Sequence, residues 1–326
     1  MKRFVPATFA CAILAFVPPA SAETYKLLSS WDSGFKPAYI IAEMFQKNVA
    51  DISGGKTKID ILGPEAVPPF QQLQPVAAGV FDMLYTHGAY HSGAKGLALA
   101  GDAVDPDVKK RRDAGVWQYI DAFYQKNHGL TLISMPVQGT KGYQCYLRQP
   151  LSPAGDWAGR KMRGVVSYHG VIKALGGVPV VIPVPEVYSA LEKGVVDGSC
   201  LTAAGMLAAK HYEVAKYRVE PTFGAATVII AFNTTKWAKL SAEEKQAFTA
   251  AGAKTETDVP AVSDRIVTDE WTELAKLGVK VETLSPEKGA LIRKAWNDSQ
   301  WELAKQCCGD AADELKAIAT KAGITN

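Results

Sequence analysis

Two short stretches of this 326-residue chain carry residue types and spacings that nucleotide and metal sites use. Gly55-Lys56-Thr57 matches the end of a phosphate-binding loop, but Ala50 stands where that loop needs glycine, and a strand follows instead of a helix. His87 and His91 have the i, i+4 spacing of a zinc pair, but no glutamate follows His87 and Gly88 disfavours the helix that would align them. No Gly-x-Ser-x-Gly nucleophile motif occurs, and no Gly-x-Gly-x-x-Gly follows a strand. We therefore predict no catalytic residue, no metal and no cofactor.

Anion recognition is the chemistry that remains, and Arg163 is its first candidate. It lies near the end of a short run, residues 161–165, that reads as a strand. A guanidinium in such a place presents a planar pair of N–H donors to a carboxylate, which lysine does not. Most arginines are instead surface residues or stabilise their own domain, so the residue type alone leaves both roles open.

The first 22 residues differ from the rest of the chain. Met1-Lys2-Arg3 precedes an apolar run at 4–17, and Ala20-Ser21-Ala22 has the small residues of a signal-peptidase site. A membrane anchor is the competing interpretation, but the run is too short for a bilayer core of about 30 Å. Cys11 lacks the aliphatic residue that usually opens a lipoprotein motif. We predict export with cleavage after Ala22.

Composition limits the remaining possibilities. With 48% hydrophobic and 21% charged residues, a chain of this length is expected to form two globular domains. The 36 basic residues include Lys2 and Arg3, so the exported chain keeps 34 against 33 acidic residues, a net charge of +1. This balance argues against a nucleic-acid-binding surface.

Four cysteines remain after the leader, which is too few for a disulfide scaffold. The sequence does not decide whether Cys145 and Cys200 form a disulfide. Cys307 and Cys308 are adjacent, and ring closure between neighbours is strained, so we expect these two to be thiols.

Apolar runs alternate with amphipathic segments after the leader, which is typical of an α/β fold with mainly parallel strands. The first unit has predicted strands at 25–29, 58–62, 83–85 and 130–137 and helices at 37–52, 70–79 and 107–126. The second unit has predicted strands at 143–148, 161–165 and 179–182 and helices at 168–175 and 186–193, followed by a short run at 195–202. A strand at 227–233 is placed to cross back to the first unit.

A long helix is expected after this crossing strand. Ser241 and Glu244 form a capping box, and the helical pattern continues to Leu277 with an interruption or bend near Pro260. Such a helix can brace both units. A last strand at 279–281 and a helical stretch at 286–319, broken near Gly309, complete the chain. We assign residues 23–138 and 227–265 to lobe I, and 139–226 and 266–326 to lobe II.

The second unit carries a specific set of motifs in one register. They are an arginine-bearing strand Gly159-Arg160-Lys161-Met162-Arg163, a turn Leu175-Gly176-Gly177, a helix Glu186-Val187-Tyr188-Ser189-Ala190-Leu191 and a turn Val196-Asp197-Gly198. This set resembles the extracytoplasmic solute-binding proteins of tripartite ATP-independent periplasmic (TRAP) transporters, the DctP family. The likeness extends over essentially the whole exported chain.

The resemblance implies a two-lobe periplasmic binding protein fold of class II type, with crossing strands and a long bracing helix, closing around an organic acid. Arg163 is then the anchor for the ligand carboxylate. The other expected ligand-binding residues are Trp31, Phe70, His87, Tyr90, Gln144, Tyr168, His169, Leu201 and Phe223.

The motifs also depart from two branches of that family. Leu201 stands where sialic-acid-binding members have an asparagine, and Val184 stands where they have an aromatic residue. Keto-acid-binding members carry a tryptophan and a carboxylate after the turn that corresponds to Asp197-Gly198, for the acid and its metal. This chain has neither at that place. With Trp31, Phe70 and Tyr90 near the site, these departures favour an aromatic or otherwise apolar monocarboxylate, and a C4-dicarboxylate is the alternative.

We therefore predict a periplasmic solute-binding protein that is not an enzyme and does not bind nucleic acid. Its expected partners are a small organic acid and the small and large TRAP membrane subunits, and the chain is expected to be monomeric. An exported enzyme on the same two-lobe fold is the rival from another class, because a fold alone does not fix a function.

Overall fold

The computed structural model describes residues 23–325, so the predicted leader and its cleavage site lie outside the described residues. Within this range the chain forms eleven strands and ten α-helices. The strands are β1 (Glu23–Ser29), β2 (Thr57–Leu62), β3 (Met83–Thr86), β4 (Leu130–Ser134), β5 (Tyr143–Leu147), β6 (Lys161–Arg163), β7 (Val178–Val180), β8 (Gly198–Thr202), β9 (Tyr217–Phe223), β10 (Ile229–Asn233) and β11 (Lys280–Thr283). The helices are α1 (Lys36–Ile52), α2 (Leu73–Ala77), α3 (Val108–Asp113), α4 (Val116–His128), α5 (His169–Ala174), α6 (Val187–Glu192), α7 (Thr234–Lys239), α8 (Ala242–Lys276), α9 (Pro286–Cys308) and α10 (Asp310–Lys321).

The strands form two separate sheets, one in each half of the fold. The first sheet has the order β2-β1-β3-β10-β4 and the second has the order β11-β9-β5-β8-β6-β7. β1 pairs in parallel with β2 and β3, and β6 pairs in parallel with β7 and β8. β10 and β5 run antiparallel to both of their neighbours. The α/β class is confirmed, and the sheets are mixed because two strands enter from the opposite direction.

The chain crosses between the two sheets at two adjacent segments. Val137, after β4, forms an antiparallel bridge with Thr227, before β10. The amide of Gln138 donates to the carbonyl of Ala226 at 2.8 Å, and the amide of Val228 donates to the carbonyl of Pro136 at 3.0 Å. These hydrogen bonds hold the two crossing segments side by side, at the places where the sequence predicted the connections.

Helix α8 contacts both halves of the molecule. It begins at the predicted capping box, in which the Ser241 hydroxyl accepts from the amide of Glu244, and it contains Pro260. Glu256 accepts from the amide of Met135, beside the first sheet, at 2.6 Å. Glu270 accepts from backbone amides of the 205–207 turn, beside the second sheet. The prediction of one long helix that braces both units is confirmed.

Each sheet separates two layers of apolar side chains. In β1, the consecutive residues Leu27 and Leu28 are both fully buried, in clusters on opposite faces of the first sheet. Ile41 and Phe45 of α1 join one of these clusters, as the 3.6-residue spacing predicts. In β5 of the second sheet, Cys145 and Tyr146 likewise lie in separate clusters. Successive side chains along a strand point to opposite faces of its sheet, and this alternation produces an apolar layer on each face of both sheets.

Some predicted segments differ in the structure. The expected helix at 107–126 is divided into α3 and α4, because Gly115 has a φ of +86° and this left-handed conformation ends a helix. The C-terminal segment was assigned to lobe II, but Trp301, Leu315 and Ala319 pack into the core of the first sheet. The apolar face of α10 covers α4, so the chain returns to the first half at its end.

The cysteines are paired in the structure. Cys145 and Cys200 are direct cross-strand partners in β5 and β8, and their sulfurs are bonded, so the bridge that the sequence left open is present. Cys307 and Cys308 at the end of α9 are also bonded to each other. The expectation of free thiols at this second pair is therefore wrong.

Candidate functional site

A cleft lies between the two sheets, at the ends of strands from both. It encloses about 500 Å³ that protein atoms do not fill, part of it open to solvent. The cleft is lined by Trp31, Phe35, His87, Tyr90, Gln138, Tyr143, Arg163, Val165, Ser167, Tyr168, Val184, Leu201, Thr202, Ala226 and Val228. Several of these residues directly follow parallel strands, where ligands of open α/β sheets bind.

Arg163, the last residue of β6, is 1% exposed. Its Nε donates to the carbonyl of Ile182 just beyond β7 at 2.7 Å, and its Nη1 donates to the carbonyl of Cys200 in β8 at 3.0 Å. Because β7 and β8 flank β6 on either side, the guanidinium is fixed by both neighbouring strands. Within residues 23–325, no protein group accepts a hydrogen bond from Nη2. Donors therefore remain on this cation for a ligand.

The charge of Arg163 is not paired with a carboxylate in the part of the chain that the structure describes. No carboxylate of residues 23–325 forms a salt bridge with it, and none of the side chains that line the cleft is acidic. Burial lowers the pKa of Arg163, which reflects the cost of holding its charge out of water. A buried guanidinium that keeps free donors is suited to bind an anion, which would supply the missing charge and the missing acceptors.

Aromatic rings form much of the remaining surface. The ring centre of Trp31 is 5.0 Å from that of Tyr85 and 5.7 Å from that of Tyr90. Tyr168 meets Tyr143 edge-on at 5.3 Å. Such packing fixes the rings and leaves flat apolar faces beside the cation. The cleft can therefore hold an anion with an apolar or planar body.

A buried carboxylate, Asp102, organises the polar side of the cleft. Its Oδ2 accepts from the Tyr143 hydroxyl and contacts His87 Nε2, each at 2.8 Å, and its Oδ1 accepts from the Thr227 amide at 2.8 Å. The amide of Ala89 donates to His87 Nδ1 at 3.1 Å, so the imidazole proton belongs on Nε2 and points to Asp102. These bonds join the first sheet, the second sheet and a crossing segment, and they orient two residues of the cleft.

Ten residues were expected at the site, and the structure brings six of them to the cleft. These six are Trp31, His87, Tyr90, Arg163, Tyr168 and Leu201. Their proximity is a finding, whereas their roles in binding stay a prediction.

The other four do not line the cleft, although two lie directly behind it. Phe70 packs edge-on against Tyr90, with ring centres 5.1 Å apart, and Phe223 packs against Tyr143. Gln144 is fully buried and donates to the Tyr146 hydroxyl, because alternation along β5 turns it to the other face of the sheet from Tyr143. His169 begins α5 outside the cleft.

Sequence reasoning missed several residues that line the cleft. Phe35, Gln138, Tyr143 and Ser167 were not singled out. A turn after a strand that carries an arginine was a usable signal for Ser167. The positions of Gln138 and Tyr143 depend on how the crossing segments bring the two sheets together, which the sequence pattern does not reveal.

No group of three or more His, Cys, Asp or Glu side chains within residues 23–325 is arranged to hold a metal ion. His87 is bonded to Asp102 and Ala89, and His91 contacts the Tyr124 hydroxyl at 2.6 Å. The spacing of these two histidines therefore reflects separate structural contacts.

His211, a further buried histidine, predicts a specific pH dependence of stability. Burial, with a smaller effect from the charge of Arg163, lowers its pKa to about 3. An unfolded histidine titrates near 6.5, so the folded protein takes up fewer protons and loses stability as the pH falls below that value. Between pH 7 and pH 5, the wild type should lose about 2 kcal/mol more than the His211→Leu variant.

Urea unfolding of both proteins at the two pH values measures this difference. All other titratable groups are shared, so their contributions cancel in the comparison. Equal losses in the two proteins would contradict a neutral, buried His211.

Comparison with known proteins identifies the family. A profile of bacterial extracellular solute-binding proteins of family 7, the DctP family, matches residues 28–306. The chain belongs to this family. The DctP family consists of solute receptors and not of enzymes, so the prediction of a binding protein is confirmed, and so is the resemblance on which it was based.

Similar proteins include receptors for different acids. A monocarboxylate 2-oxoacid-binding periplasmic protein of Nostoc sp. is 28% identical over 183 residues, covering 54% of this chain and 49% of the relative. The C4-dicarboxylate-binding periplasmic protein of Rhodobacter capsulatus is 35% identical over 96 residues, covering 29% of each. The matched regions thus span about half or less of the length of these curated relatives.

Solved structures show the same fold. A TRAP transporter solute-binding protein from Bordetella bronchiseptica, with copurified calcium and picolinate in its active site, superposes with a TM-score of 0.79 at 22% identity over 93% of this chain and 92% of that one. The predicted two-lobe fold of this DctP-family receptor is therefore confirmed. None of the helices in residues 23–325 is both long and apolar enough to cross a membrane.

Proposed function

We propose that this DctP-family receptor captures a small organic monocarboxylate with Arg163 as its anchor. The observation that carries the proposal is a fixed, 1% exposed guanidinium that has free donors in a cleft whose lining residues include no Asp or Glu. A carboxylate supplies the charge and the acceptors that Arg163 lacks, in a geometry that suits its planar donor pair.

The rest of the cleft supports an aromatic or apolar body for this acid. Trp31, Tyr90, Tyr168 and Leu201 offer apolar surface beside the cation. The alternative is a C4-dicarboxylate, favoured by the similarity to the Rhodobacter capsulatus protein. A second carboxylate would need a second cationic partner, and His87, the other basic residue of the lining, is already engaged with Asp102.

Recognition without a metal is part of the proposal. A calcium ion in an acid-binding cleft prefers oxygen ligands with carboxylates among them. The side chains that line this cleft include no Asp or Glu, so its donor set does not suit calcium.

The proposed setting is the periplasm. After cleavage behind Ala22, the chain would act as a monomer that passes its ligand to the small and large TRAP membrane subunits. Its near-balanced charge supports a small-molecule ligand and not nucleic acid.

A thermal-shift screen tests the proposed ligand class with sodium salts of picolinate, benzoate, pyruvate, succinate and malate. A ligand that binds only the folded protein should add about 2.7 kcal/mol of stability at one hundred times its dissociation constant. We expect the monocarboxylates to raise the melting temperature and the dicarboxylates to raise it less. Chelator in the buffer should leave these shifts unchanged.

The same screen can contradict the proposal in two ways. Shifts only with succinate and malate would establish the dicarboxylate alternative. If none of the five acids raises the melting temperature, the result would count against a monocarboxylate receptor.

A further inference from the structure

Ser167 is a buried hydroxyl without a hydrogen-bond partner at the edge of the cleft. It lies in the 3-10 turn Val166–Tyr168 that follows β6, and it lines the same cleft as Arg163. The residue is 1% exposed, and within residues 23–325 no protein group bonds to its Oγ. Its carbonyl accepts from Gln300 Nε2 of α9 at 2.8 Å, which fixes the turn. The hydroxyl is therefore held in place without a protein partner.

Two of the other hydroxyls at the cleft already donate to protein groups. The Thr202 hydroxyl donates to the carbonyl of Ala204 at 2.7 Å, and the Tyr143 hydroxyl donates to Asp102. A buried polar group without a partner costs free energy, so such groups are usually satisfied by protein, water or ligand. Among these three hydroxyls, Ser167 is the one with a free donor.

We propose that Ser167 is a second anchor for the ligand, its hydroxyl donating to the carboxylate that Arg163 holds. A carboxylate has about four acceptor positions, so a two-donor contact with the guanidinium leaves positions for a third donor. Arg163 and Ser167 are four residues apart, on the end of β6 and on the turn that follows it. The inference rests on the proposed function, because it assigns a second contact to the same acid.

This role predicts opposite effects on stability and on binding. Without ligand, the Ser167→Ala variant loses no hydrogen bond and removes an unsatisfied polar atom, so its melting temperature should stay the same or rise. With ligand, the variant loses a hydrogen bond to a charged group, so the dissociation constant should rise about tenfold or more. A residue with only a structural role would lower the stability of the free protein.

Ser199→Ala is the matched control. Ser199 is also fully buried with an unpartnered hydroxyl, but it does not line the cleft. Its replacement should leave both the free melting temperature and the affinity close to those of the wild type. Ser167→Cys keeps the side-chain shape with a slightly larger atom and a weaker donor, and it should bind between the wild type and Ser167→Ala.

Calorimetry measures the affinities, with the acid that gives the largest thermal shift among picolinate, benzoate, pyruvate, succinate and malate. Ser167→Ala binding within twofold of the wild type would overturn the second anchor while leaving the receptor function intact. A melting temperature lowered by several degrees in the free variant would overturn it as well. If none of the five acids binds the wild type, the proposed function fails first, and the second anchor fails with it.

Discussion

Replacing Arg163 by alanine should weaken ligand binding at least about thirtyfold. Truncating one partner of a buried charged pair costs about 2 to 5 kcal/mol, and each 1.4 kcal/mol is a factor of ten in affinity. The structure strengthens this expectation, because the guanidinium is 1% exposed and fixed by the carbonyls of Ile182 and Cys200 before any ligand arrives. The ligand therefore meets a pre-ordered donor pair and not a flexible side chain.

Two further variants separate the role of the donor geometry from that of charge alone. Arg163→Lys restores the charge but not the planar donor pair, so it should recover only part of the affinity. Arg160→Ala is the matched control, because Arg160 lies three residues away and donates to the carbonyls of Gln149 and Pro150 outside the cleft. It should bind like the wild type.

Calorimetry on the wild type and the three variants distinguishes these cases, with circular dichroism to show that each one is folded. Affinity of a folded Arg163→Ala variant within about threefold of the wild type would remove Arg163 from the site. Full affinity in Arg163→Lys would mean that the residue only attracts the ligand by its charge.

The elements that the sequence predicted well are those with local signals. The Ser241 and Glu244 capping box defines the start of α8, and the apolar spacing of α1 predicts its buried face. The prediction of one helix at 107–126 was wrong because a single residue, Gly115, takes up a left-handed backbone conformation and separates α3 from α4. β9 was not predicted because Glu220-Pro221 interrupts its apolar alternation, although it pairs with β5 and β11 and lies second from the edge of the second sheet.

Residues of the candidate site also differ in whether a local sequence signal predicts them. Arg163 was found because a motif in one stretch of chain carries it. Asp102 was not found, since its partners Tyr143 and Thr227 are far away in sequence and meet it only after both crossings are made. A network that joins three segments has no local pattern, so its recognition required the structure.

Replacing Asp102 by alanine should lower the free energy of unfolding by at least about 2 kcal/mol, because each buried donor left without an acceptor costs about 1 to 3 kcal/mol. Two donors lose their acceptor, the amide of Thr227 and the hydroxyl of Tyr143, whereas Nε2 of His87 keeps the Tyr143 hydroxyl oxygen as a partner at 3.2 Å. The Asp102 side chain is fully buried, so water cannot easily replace it. Urea unfolding of the wild type and the variant at pH 7 measures the loss.

Asp264→Ala provides the comparison, because Asp264 also accepts from a backbone amide at the crossing, that of Thr140 at 2.7 Å, but is only half-buried. Water can satisfy the freed amide there, so the expected loss is about 1 kcal/mol. Equal losses in the two variants would show that the burial of Asp102 is not what matters.

The Asp102 network also orients His87 and Tyr143 in the cleft, so Asp102→Ala should weaken acid binding as well, whereas Asp264→Ala should not. A folded Asp102→Ala variant with wild-type affinity would show that Arg163 and the aromatic rings hold the acid without this network.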